Sequence, residues 1–362
     1  MRELRVSLAM VVTLFLCIGI IMIYSASGIY AQQVLGNPLY FLVRHLSFLV
    51  MGLLAMIPIM LMDYRDLQKI AKPLMVVSVI LLVLVLIPGL GKSSFGARRW
   101  FKVGPINFQP SELMKLSMLI YVSDFLTRKK NDIRSFSHGF IPLTLVMGVS
   151  CLLILKEPDM GNAVLIGLMV WVLMFLAGGK LKHLLSFFIL ALPALVILVI
   201  KEPYRMRRLV AFIDPWKDSL GAGFQLTQSH IAFGSGGIFG LGLGKSVQKL
   251  FYLPAAHTDF IMSIIGEELG FLGAFVVIML FIIFVFQGAR IAKRTQNPFG
   301  YFLASGIVGM LGTQAMVNIG VSIGALPTKG LPLPFISYGG SALIFNLMAI
   351  ALLLNISRTE DL

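Results

Sequence analysis

The chain has 362 residues, of which 58% are hydrophobic and 13% charged, whereas soluble domains carry roughly 25% charged residues. That balance excludes a water-soluble fold and, with it, the soluble cofactor-binding folds. A formal net charge of +14 admits nucleic acid, anionic lipid or an anionic substrate as partner, and the placement of the charges decides among them.

Apolar stretches long enough to cross ~30 Å of hydrocarbon recur along the whole length. In chain order they lie near 7–25, 46–62, 73–90, 111–126, 140–155, 163–178, 184–200, 261–287, 300–322 and 340–356. They predict an all-α integral membrane protein with ten transmembrane helices, a single polytopic domain over 1–362. The first stretch ends in Tyr24-Ser25-Ala26-Ser27, which faintly resembles a leader cleavage site, but nine further stretches follow and it reads as a retained anchor. Cys17 and Cys151 both fall inside apolar stretches, so neither a disulfide framework nor a metal site is suggested.

An even number of spans puts both termini on one side. With the N-terminus inside, the inner connections hold fifteen Lys and Arg, Lys130 among them, and the short outer ones hold seven, Lys329 among them. The positive-inside rule then makes both termini cytoplasmic. The long loop at 201–260, between the seventh and eighth spans, becomes extracytoplasmic and adds seven more basic residues. Orientation alone does not require so much positive charge outside, so an anionic ligand is expected there and nucleic acid is not. Tyr204, Phe212, Trp216, Phe224 and Phe251, interleaved with charges, predict that this loop is folded.

Between the third and fourth spans runs Gly96-Ala97-Arg98-Arg99-Trp100-Phe101-Lys102-Val103-Gly104, followed by Gln109-Pro110-Ser111-Glu112 and Lys115. Arginine forks and a lysine point charge suit a pyrophosphate head group. The alternative is an interfacial belt of snorkelling cations anchored by Trp100. Glu112 and Lys115, three apart on one helical face, can pair with each other, yet charge inside a span also marks a functional candidate.

Pro and Gly explain the bend of the outer turn Lys156-Glu157-Pro158-Asp159-Met160-Gly161-Asn162, and in Pro334-Phe335-Ile336-Ser337-Tyr338-Gly339-Gly340-Ser341, at the entrance of the last span, glycines let the backbone approach either a ligand or another helix. The glycine-rich run Gly234 to Ser246 fails as a nucleotide motif, because Phe239 stands where both the phosphate loop and the dinucleotide fingerprint need glycine. Close backbone packing or tight turns explain it better.

Asp259 follows His257 and Thr258 where the outer loop enters an apolar helix that also carries Glu267 and Glu268. Three carboxylates so near hydrocarbon are unfavourable unless they have a function or partners. A helix N-terminus at Asp259 favours the ionised form, and an N-cap role is the plain alternative. Glu267 and Glu268 lie roughly two turns deeper, where pairing with Lys or Arg is expected. His257 and Asp259 lack a convincing third ligand, so no metal site is assigned.

Taken in order, Tyr24-Ser25-Ala26-Ser27, Gln109-Pro110-Ser111-Glu112, Glu157-Pro158-Asp159-Met160-Gly161, Asp214-Pro215-Trp216, Gly223-Phe224-Gln225, Leu253 to Phe260, Glu267-Glu268-Leu269-Gly270 and Ser337-Tyr338-Gly339-Gly340-Ser341 strongly resemble the SEDS family of shape, elongation, division and sporulation proteins. The run from Asp214 to Gly270 looks most like the division-site members. Met160 and Ala342 depart from the usual leucine and serine, and the long cytoplasmic tails of many division members are lacking.

The resemblance implies a ten-helix membrane glycosyltransferase that polymerises lipid II on the outer face of the cytoplasmic membrane, for septal wall synthesis in cell division. It implies partnership with a class B penicillin-binding protein and other divisome proteins, and an active site among membrane lipids. Asp259 is then the catalytic base. Arg98, Arg99, Lys102, Gln109, Glu112, Lys115, Glu267 and Glu268 are the substrate-binding candidates. No permanent cofactor is expected, although a transient divalent cation could neutralise the pyrophosphate. Two other classes compete: a transporter of the same lipid, whose site belongs near the bilayer midplane, and a non-catalytic division scaffold.

Overall fold

The computed structural model describes residues 1–94, 97–104, 106–129, 132–200, 203–328 and 330–361. Gly96 of the basic cluster, and Lys130, Lys201 and Lys329 of the charge tally, lie outside the described residues. Each apolar stretch lies in a helix to within four residues at either end of the stretch: α1 (Arg2–Leu35), α2 (Tyr40–Leu61), α3 (Leu67–Leu86), α4 (Pro110–Arg128), α5 (Ile141–Lys156), α6 (Met160–Leu176), α7 (Leu181–Ile200), α10 (Ile261–Arg294), α11 (Pro298–Ser322) and α12 (Ser341–Thr359), the stretch at 73–90 running furthest past its helix. Among the described residues seven helical segments, those of α1, α2, α3, α5, α10, α11 and α12, are long and apolar enough to cross a membrane. The chain is a multi-pass membrane protein. α6 is apolar but shorter, and α4 carries Glu112, Lys115, Asp124 and Arg128.

α4 tolerates those charges because other helices enclose it. It packs against α3, α5, α6, α11 and α12, and its charges pair along the helix, Lys115 with Glu112 at 2.9 Å and Arg128 with Asp124 at 2.6 Å. In hydrocarbon, helices associate through close packing and shared hydrogen bonds. Ser78 of α3 and Ser117 of α4 meet at 2.6 Å, and Asn355 of α12 donates to Ile59 O and Met62 O at the end of α2. Phe15 of α1 stacks on Phe281 of α10 at 4.2 Å and lies 6.0 Å from Phe335.

The loop at 201–260 is folded, as its composition predicts: α8 (Pro203–Ile213) and α9 (Phe224–Gly236) lie within it. A three-stranded antiparallel sheet precedes α4, formed by β1 (Lys92–Ser94), β2 (Ala97–Val103) and β3 (Ile106–Phe108). The sequence gives no expectation of it, since β1 and β3 have three residues each and the seven of β2, Ala-Arg-Arg-Trp-Phe-Lys-Val, do not alternate apolar with polar.

The glycine-rich run is a packing device. α10 breaks at Gly270, whose φ of 69° suits glycine, and the chain at 237–242 lies against that break. Leu241 N–H and Gly242 N–H donate to Glu267 O and Glu268 O, while Phe271 N–H donates to Gly237 O. A Cβ on Gly236 would lie 2.0 Å from Gly266 O, and one on Gly240 2.2 Å from Glu268 O. Residues 271–294 alone rise about 36 Å, enough for one crossing. The stretch 261–269 is therefore free to bend toward the loop and present Asp259.

Candidate active site at the Asp259 turn

The backbone around Asp259 is fixed from three directions. Thr258 N–H and Phe260 N–H both donate to Ala255 O, closing a tight turn in which Ala255 adopts a φ of 58°. Asn318 of α11 donates through Nδ2 to Asp259 O at 2.9 Å and to Leu331 O at 2.7 Å. Ser337 Oγ donates to Thr258 O at 2.5 Å and accepts from Leu333 N–H at 2.9 Å, and Tyr338 N–H donates to His257 O at 3.0 Å. The segment 331–338 and the end of α11 thus clamp the turn through its carbonyls and leave the Asp259 side chain out of the clamp.

Asp259 is not the helix cap. The N-cap of α10 is Phe260, without a side-chain cap bond, so Asp259 stands one residue further out. Among the described residues no hydrogen bond or ion pair reaches its carboxylate. Gly330 lies beside it: a Cβ built there would lie 3.3 Å from Asp259 Oδ2. Burial pushes the carboxyl up to about 6, against the opposing pull of the Arg208 and Arg99 charges and with a further push from Asp159. The helix terminus was expected to favour the ionised form, but desolvation outweighs it.

Arg99 arrives on β2. Its Nε donates to Glu157 O at 2.9 Å and its Nη2 donates to Pro158 O, fastening the sheet to the turn between α5 and α6. Strand alternation splits the predicted basic cluster: Arg99 faces that turn, whereas Arg98 and Lys102 belong to the other face of β2 and are exposed. Arg208 arrives on α8, where its Nη1 donates to Thr328 O at 3.2 Å.

Asp159 caps α6 by accepting from Asn162 N–H at 3.1 Å. Its other oxygen accepts from Asn162 Nδ2 at 2.9 Å and from Gln109 Nε2 at 3.1 Å, and Gln109 also reaches Ser111 Oγ at 2.9 Å. Glu157 is fully buried with neither carboxyl oxygen hydrogen-bonded. Burial, reinforced by Asp159 and opposed by Arg99, pushes it up to about 9, so it is protonated at neutral pH. Glu157, Asn318 and Arg208 are not among the candidates that the sequence offers. Asp-Met-Gly-Asn at the start of an apolar run carries a readable N-cap signal, but nothing in the sequence brings Arg208 to Asp259.

Among the described residues, none of the remaining candidates hydrogen-bonds or pairs with the Asp259 carboxylate. Glu112 and Lys115 form a pair only 2–3% exposed, and Lys115 Nζ lies 3.5 Å from Gln314 Oε1. Gln314 Nε2 in turn donates to Pro332 O at 2.9 Å, so this pair braces α4 to α11 and to the segment that clamps the turn. Glu267 accepts from Ser246 Oγ, Val247 N–H and Gln248 N–H. Glu268 pairs with Lys249 at 2.8 Å and accepts from Ser25 Oγ at 2.7 Å. Both glutamates hold the loop 245–249 against α10, Glu268 through the cation pairing that its depth suggests and Glu267 through a hydroxyl and backbone N–H groups instead. Among the described residues no group of three His, Cys, Asp or Glu is arranged to hold a metal ion.

The family model for the FtsW/RodA/SpoVE cell cycle proteins matches residues 5–362. A probable peptidoglycan glycosyltransferase FtsW of Geobacter metallireducens is 45% identical over 341 residues, covering 94% of this chain and 91% of that one. Stage V sporulation protein E of Bacillus subtilis is 44% identical, covering 97% and 96%. Among solved structures, a chain of a peptidoglycan synthase complex that coordinates polymerization and crosslinking superimposes with a TM-score of 0.80 at 29% identity, covering 98% and 97%. The rod shape determining protein RodA of Thermus thermophilus gives 0.72 at 30%, covering 98% and 96%. Together with the match over almost the whole length, these likenesses make the chain a member of the FtsW/RodA/SpoVE family of cell cycle proteins.

Proposed function

We propose that the chain is a peptidoglycan glycosyltransferase of the division type, polymerising lipid II with Asp259 as general base. The carrying observation is a carboxylate whose backbone is clamped while its side chain is left open, with Arg208 and Arg99 as the positive charges acting on it. A sugar hydroxyl attacks the anomeric carbon of a lipid-linked sugar. Its proton passes to Asp259, the new C–O bond forms, and the bond to pyrophosphate breaks with its electron pair leaving on the phosphate oxygen. Arg99 and Arg208 stabilise the charge that develops there, as forked donors suit phosphate. A carboxyl held near 6 is largely ionised at pH 7 yet more basic than an exposed aspartate, which suits a base working at neutral pH.

Ten crossings with both termini cytoplasmic put this turn at the outer face of the cytoplasmic membrane, and the charge asymmetry of the connections supports that orientation. The synthase-complex neighbour supports partnership with a crosslinking class B penicillin-binding protein and, through it, other divisome proteins. No permanent cofactor is assigned; a transient divalent cation on the pyrophosphate is compatible with the site. The test is polymerisation of fluorescent lipid II by purified protein. Glycan chains support the enzyme, translocation alone a transporter, and neither a scaffold.

A further inference from the structure

α8 has two unlike faces. Arg208 points inward to Thr328 O, and Ala211 beside it is buried. Leu209, Val210 and Ile213 are 40%, 53% and 75% exposed and fall within about 100° of one another at helical spacing, on the side away from Arg208. Arg207, also exposed, lies at the edge of that apolar strip. An apolar strip edged by a cation is the pattern of a helix lying in the plane of a bilayer surface, with the cation's stem reaching up to the head groups.

Two connections fix the level of this helix. Three peptide steps separate Ile200, the end of α7, from Pro203, the start of α8, and they span at most about 11 Å. On the ten-span reading, α7 ends at the membrane face that holds Asp259, so α8 begins within that distance of the head groups. On its other side, Arg208 is tied to Thr328, six residues beyond the end of α11 at the same face. α8 also packs against α7, whose last residue Ile200 is apolar and 59% exposed.

We infer that the bilayer surface itself covers Leu209, Val210 and Ile213, and that membrane lipid thereby holds α8 in the position that aims Arg208 at the Asp259 site. Lipid is then part of the site's support. A protein partner is the alternative cover, but the exposed apolar end of the adjoining α7 and the level of both connections favour lipid.

The test uses the full chain in lipid nanodiscs, with Cys17 and Cys151 replaced by alanine and one new cysteine, Val210→Cys or Arg207→Cys, carrying an environment-sensitive fluorophore. The account expects lipids with a shallow nitroxide quencher to quench the label at 210 at least about twofold more than that at 207, with aqueous iodide showing the reverse order. Equal iodide access at both positions overturns it. Shielding of position 210 that appears only when a second protein is reconstituted also overturns it, in favour of protein docking. These optical readouts do not depend on the proposed activity. For the link to Arg208, Leu209→Ser with Ile213→Ser should raise KM for the lipid-linked donor about tenfold at an unchanged thermal midpoint, and unchanged KM removes that link.

Discussion

Asn318→Ala tests whether the clamped backbone positions Asp259. Asn318 is 1% exposed, and its amide donates to Asp259 O and Leu331 O. Each lost bond contributes about 0.5–1.5 kcal/mol, with more for any carbonyl left buried and unpaired, so the variant should lose about 2–4 kcal/mol. Asn355→Ala supplies the control: it too is buried and donates to two backbone carbonyls, Ile59 O and Met62 O, at the end of α2 remote from Asp259. Both variants should lower the thermal midpoint in detergent by similar amounts. Only Asn318→Ala should lower the turnover of the folded fraction, by ~10- to 100-fold, since a misplacement of about 1 Å can have that effect on a reacting group. Equal turnover in the two folded variants, or equal losses, would refute the positioning argument.

Turnover should fall about tenfold per pH unit below about 6, where the base becomes protonated, and level off above it; a profile flat from pH 5 to 8 contradicts the assignment. Stability should run oppositely. A carboxyl raised from 3.8 to about 6 favours folding below 3.8 and loses that contribution as pH rises through 6, so Asp259→Asn should stabilise the protein at pH 8 by up to about 3 kcal/mol. Arg99→Gln should weaken both donor KM and turnover, while Arg98→Gln and Lys102→Gln, on the far face of β2, should stay within about twofold of the parent; steady-state kinetics on lipid II separates them. Gly240→Ala should destabilise by roughly 3 kcal/mol or more, because its Cβ meets Glu268 O at 2.2 Å at a φ of 80°, visible as a large drop in thermal midpoint.

Much of this architecture is legible because bilayer thickness imposes a length on every apolar stretch, and each predicted stretch has a helix over most of its length. The site is legible only in part. Asp259 stands out from the sequence because a carboxylate beside hydrocarbon is unfavourable, and the glycine run is readable as packing because its spacing fits no phosphate loop. Three things escape. In the sheet at 92–108 two strands have three residues and the seven-residue β2 does not alternate apolar with polar, so the split of Arg99 from Arg98 and Lys102 is invisible. Arg208 reaches the site from a helix 51 positions earlier in the chain, a long-range contact that no local pattern encodes. The basicity of Asp259 depends on how much water the folded turn excludes, whereas its position near a helix start suggested the opposite shift.

The central claim rests on Asp259 as the base, and the most direct measurement is lipid II polymerisation by Asp259→Asn, with thermal unfolding followed in the same preparation. General-base assistance is typically worth ~10²- to 10⁴-fold. The account predicts a turnover loss in that range, with substrate binding retained and the thermal midpoint unchanged or raised. Turnover near that of the parent protein, from a preparation equally well folded, would contradict it and move the search for the base to Asp159 or Glu112.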